Sequence, residues 1–88
     1  MLRACVSTWD PVEADRLLAG VRAALSHAEA EYRAGRMTEA RRNAVRTWLE
    51  VAEGYASTHE AEARRGWDVL PLLRSALRHA AELAGCGI

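Results

Sequence analysis

Five arginines, Arg33, Arg36, Arg41, Arg42 and Arg46, crowd residues 33–46, with Glu39 the lone carboxylate among them. Residues 50–62 reverse the sign, carrying Glu50, Glu53, Glu60 and Glu62 and no arginine. A guanidinium offers a planar fork of donors that matches carboxylate and phosphate oxygens, which makes the five arginines candidate partner- or anion-binding residues. On one helix this order opposes the macrodipole, which favours each sign at the other end by about 0.3–1 kcal/mol per charge. Three arrangements would offset it. Glu29 and Glu31 could pair with the cluster while Arg64, Arg65 and Arg16 serve the acidic end. Two copies could associate head-to-tail or antiparallel. A phosphate or acidic partner could sit at the Arg-rich end, helped by free N–H groups of a helix start. The aromatic residues that single-strand binders interleave with their cations are missing there.

Other reactive side chains form no constellation. His27, His59 and His79 share no metal-ligand spacing, so no metal and no cofactor is expected. His59 falls within an apolar stripe and reads as a hydrogen-bonded core or rim residue, whereas His27 and His79 fall off the core faces. Cys5 and Cys86 stand near the two ends without a redox or metal motif; they read as free thiols, the alternative being a disulfide between the ends. No serine sits in a strained elbow and no glycine-rich loop could cradle a phosphate, so no catalytic residue is assigned.

Composition sets the frame for these residues. The chain has 88 residues, 12 arginines and no lysine against 12 carboxylates, hence zero formal charge. That balance argues against a generic electrostatic binder of nucleic acid or membrane. Alanine accounts for 18 of the apolar residues and phenylalanine is absent, so the core is thin and self-association is an expected source of added stability. The opening residues are too short and polar for a signal peptide and no long apolar run follows, which points to the cytoplasm and away from membranes.

The elements that position these residues follow from apolar spacing. Residues 1–9 read as an arm, with Val6 and Trp9 as potential anchors, and residues 10–88 as a single domain. The fold class is all-α, an antiparallel three-helix bundle with helices near 11–34, 38–64 and 69–84. The first opens at Asp10-Pro11-Val12-Glu13, an N-cap, a proline at the first position and a glutamate that completes a capping box. It buries Ala14, Leu17, Leu18, Val21, Ala24, Leu25, Ala28 and Tyr32. Gly35 ends it, and a short linker makes the next helix its antiparallel neighbour.

The middle helix, capped by Thr38, organises the bundle. Ala40, Ala44, Val45, Trp48, Leu49, Val51, Ala52, Tyr55, Ala56 and Ala63 cover about half its girth, wider than the roughly 100° stripe of an ordinary surface helix. It therefore needs a neighbour on each side. Ser57 with Glu60 could cap a break near residue 57 and give a short fourth helix; otherwise the helix runs on to Arg64. Asp68 caps the third helix, with Pro71 tolerated in its first turn. Val69, Leu70, Leu73, Ala76, Leu77, Ala80, Leu83 and Ala84 form its buried face, and Gly85 ends it.

Two further surfaces stand out. Val12, Ala19, Ala23, Ala30 and Ala34 line the outer face of the first helix, where small residues would let a second copy approach closely; that alanine is the best helix former and tolerates solvent is the simpler account of them. Trp9, Trp48 and Trp67 read as core or rim anchors. The hairpin Leu25 to Trp48, LSHAEAEYRAGRMTEARRNAVRTW, resembles one tetratricopeptide-type unit: Ala28, Gly35 and Ala40 match its small positions and Glu39-Ala40 its Glu-Ala pair. Tyr32 and Ala44 depart from its aromatic positions, and no second repeat follows. A microtubule-interacting-and-transport-type bundle is similar in length and in its glycine turn. Both resemblances imply a helical scaffold that binds peptides or proteins. The expected function is a non-catalytic interaction module, adaptor or accessory subunit, self-associating as a homodimer. The alternative is a small regulator that binds nucleic acid or another anion through the Arg-rich end. An enzyme subunit completed by another chain ranks third.

Overall fold

The structure, a computed structural model, describes residues 10–85. The arm at residues 1–9, both cysteines and the tail at 86–88 lie outside those residues. Three helices follow in order, α1 (Pro11–Arg33), α2 (Glu39–Arg64) and α3 (Leu70–Ala84). Each packs against the other two, which gives the expected all-α three-helix bundle.

Local chemistry sets the ends of the helices. Asp10 accepts from the Glu13 N–H at 3.0 Å and Thr38 from the Arg41 N–H at 3.2 Å, so α1 and α2 begin at their expected caps. Val69 holds the formal cap position of α3 but has no acceptor; Asp68 supplies it, taking the Leu70 N–H at 3.0 Å. α1 and α2 both close on a glycine with positive φ, Gly35 at 79° and Gly66 at 85°. Left-handed backbone there lets Arg36 and Trp67 return their N–H groups to Glu31 and Glu62, each at 2.9 Å, and satisfies carbonyls that would otherwise be orphaned.

α2 is unbroken through residue 57. Ser57 and Thr58 turn their hydroxyls back onto the Gly54 carbonyl, at 2.9 and 3.3 Å. Their side chains thus support the preceding turn rather than capping a new one, and the alternative with a short fourth helix is not adopted.

The core sits between the three helices, and Val21, Val45, Ala52 and Leu73 within it have no exposure. Trp48 and Tyr55 are half-buried and pack against that core. Three core assignments need correcting. Ala40 is exposed, because the first turn of α2 projects beyond its neighbours' cover. His79, expected off the core face, is half-buried and stacks on Trp48 with ring centroids 4.6 Å apart. Trp67 is 68% exposed, because it follows the closing glycine of α2 and is carried outward with the turn.

Candidate interaction surfaces

Antiparallel packing puts the start of α1, the end of α2 and the start of α3 at one end of the bundle, with the other three termini opposite. This resolves the apparent conflict between charge order and dipole. Beside the arginines of early α2 lie the carboxyl ends of both α1 and α3, so two negative dipole ends meet one positive end. The net is roughly half a negative charge, which favours cations. At the other end two helix starts outnumber one finish and favour Glu60, Glu62 and their neighbours.

Most of the Arg-rich end is already engaged. Arg36 forks onto Glu31 through two bonds of 2.8 Å, which holds the Glu31 carboxyl below the usual carboxylate range and raises the guanidinium above its own. Arg46 lies 3.6 Å from Glu29 across the α1–α2 seam. Arg42 lies over the Tyr32 ring, 4.5 Å from its centroid, and donates to Asn43 at 2.9 Å. Arg41, one of the five candidate anion-binding residues, folds back across the end of the bundle and donates to the carbonyls of Leu83 at 2.5 Å and Glu82 at 3.2 Å. It caps α3, whose last-turn carbonyls attract a cation. Arg33 is exposed and has no ion pair or side-chain hydrogen bond among the described residues.

The five arginines therefore share an end of the bundle but do not converge on one point. A cleft of about 180 Å³ opens there between His27, Glu31, Arg36, Met37, Arg41 and Leu83. Its two guanidinium groups are those committed to Glu31 and to α3, so it offers an anion few spare donors. At the acidic end Arg64 pairs with Glu60, and Arg65 lies 3.6 Å from Glu62. Arg16 does not join them: it bonds Glu13 at 3.1 Å on its own helix, while Arg22 lies 3.6 Å from Glu53. Exposed pairs like these contribute about 0–1 kcal/mol each.

Comparison with protein-family models, curated proteins and solved structures finds no match. The surfaces must therefore be judged on their own chemistry. Val12, Ala19, Ala23, Ala30 and Ala34 are all exposed, so the outer face of α1 is uncovered along its length. Among the described residues the exposed large apolar ones are Val12 at 65%, Trp67 at 68% and Leu72 at 46%, and all three lie at the end where α1 and α3 begin. The helical periodicity that found the core gave no sign of Trp67, because its outward course is a property of the turn.

One polar group at this end was placed but not fully anticipated. His59 is 2% exposed, and its Nε2 accepts the Asp10 N–H at 2.8 Å. The capping box would have given that N–H to Glu13. The Glu13 carboxylate instead lies 3.1 Å from Arg16 and 3.8 Å from Arg74, so only half of the expected box forms. His59 Nδ1 has no hydrogen-bond partner among the described residues, an arrangement that costs about 1–3 kcal/mol for a buried polar group. No three His, Cys, Asp or Glu side chains converge as a metal site among the described residues. No helix there is long and apolar enough to cross a membrane.

Proposed function

We propose that the chain is a non-catalytic helical interaction module, an adaptor or accessory subunit that associates with a second copy or another protein in the cytoplasm. The observation that carries this reading is apolar surface left uncovered by a small bundle. Trp67, Val12 and Leu72 stand out at one end, and an alanine face runs the length of α1. Exposed tryptophan is a common anchor of binding energy, and small side chains permit close helix approach. The likeness of the Leu25–Trp48 hairpin to tetratricopeptide-type and microtubule-interacting-and-transport-type units points the same way.

The alternative is an anion or nucleic-acid contact through Arg33, Arg36, Arg41, Arg42 and Arg46. It has less support, because four of the five already serve acceptors or a ring within the bundle. Capture from native extract, with the chain and with Trp67→Ser immobilised side by side, separates the two. A protein partner retained at moderate salt by the native chain and lost from Trp67→Ser supports the module. Retention of nucleic acid that falls steeply with salt and ignores Trp67→Ser contradicts it.

A further inference from the structure

His59 is the buried polar residue of the described chain, at 2% exposure, and it joins the last third of α2 to the start of α1. Its Nε2 lies 2.8 Å from the Asp10 backbone nitrogen. An amide nitrogen has a proton to give and no lone pair to offer. Nε2 must therefore present its own lone pair, which makes the imidazole neutral with its proton on Nδ1. We infer that His59 is an acid-sensitive latch, holding the start of α1 while its ring is neutral and releasing it when the ring takes a second proton.

That proton can go only to Nε2, where it faces the Asp10 N–H. Two donors cannot share the site, and the charged ring would be held away from water. The surrounding carboxylates do not replace the lost acceptor. On α1, Asp10 caps the Glu13 N–H at 3.0 Å, Glu13 faces Arg16 and Arg74, and Asp15 is exposed. Ahead of α3, Asp68 takes the Leu70 N–H at 3.0 Å. On α2 itself, Glu60 serves Arg64 and Glu62 serves Arg65. Relief comes when Asp10 and the first turn of α1 move away, or when the ring swings out.

The sign follows from where the proton binds. An imidazole free in water takes up a proton near about pH 6.5, and in the closed latch the Asp10 N–H occupies the Nε2 lone pair that would receive it. Below that value the unfolded state holds more protons, so this contribution to stability is complete at higher pH and is lost as the pH falls. For one proton the unfolding constant rises at most about tenfold between pH 7.5 and 5.5, and by less where the start of α1 opens while the rest of the bundle stays folded.

Denaturant unfolding of the full chain at those two pH values tests this, alongside His59→Gln and His79→Gln. A glutamine oxygen can accept the Asp10 N–H without titrating. His59→Gln should lack this part of the native chain's acid response, at most about tenfold, while His79→Gln retains it. Equal responses in the native chain and His59→Gln would overturn the latch. Nitrogen NMR of the native chain decides the matter even where the variant fails to fold. Protonation at Nδ1 near neutral pH, with an Asp10 amide signal that follows the ring titration, supports it; protonation at Nε2 overturns it.

Discussion

Arg41 shows how a residue chosen for its charge acquires a structural task. Its sequence position fits an anion site as well as any of its neighbours, yet its guanidinium closes the last turn of α3 through Leu83 and Glu82. Removing it leaves those carbonyls to water and takes a cation from a negative dipole end. Arg41→Ala should therefore destabilise the bundle by about 1 kcal/mol in denaturant unfolding. Arg33→Ala, which breaks no such contact, should stay within about 0.5 kcal/mol. The caps at Asp10 and Thr38 were legible because they act over three residues. The bonds from Arg41 to Leu83 and from His59 to Asp10 were not, since each spans more than forty residues and depends on how separate helices register.

The helices differ in how their glycines are surrounded, and that gives a test at the level of the element. Gly54 lies within α2, with open space where a Cβ would stand. Gly54→Ala should stabilise the chain by about 0.5–1 kcal/mol, read as a raised unfolding midpoint, by reducing the freedom of the unfolded backbone. Gly20 lies within α1, and a Cβ there would meet Leu77 Cδ1 at 3.0 Å and Cδ2 at 3.2 Å. Gly20→Ala must displace that side chain and should fall short of the gain at Gly54. Apolar spacing placed all three helices, and the wide stripe of α2 called for neighbours on both sides. It could not decide the possible break at residue 57. Ser57 looks like a cap in the sequence, and its choice between a free N–H and the Gly54 carbonyl appears only once the helix is wound.

Across the whole molecule, the arginine cluster and the exposed large apolar residues lie at opposite ends. The Arg-rich end meets two helix finishes and is largely engaged from within, so the charge order that suggested a binding site is mostly explained by the bundle itself. The large apolar residues exposed among the described residues, Val12, Trp67 and Leu72, collect at the opposite end, and the alanine face of α1 runs between the two. That face was legible from helical spacing, whereas the Trp67 surface was not: three tryptophans read alike as core or rim anchors, and the outward course of Trp67 is set by the turn at Gly66. Light scattering after gel filtration, at high micromolar concentration, tests the proposed self-association most directly. The expected result is the mass of a dimer that Ala23→Glu converts to a folded monomer. A native chain that runs as a clean monomer at that concentration, or a dimer whose mass Ala23→Glu leaves unchanged, would contradict it.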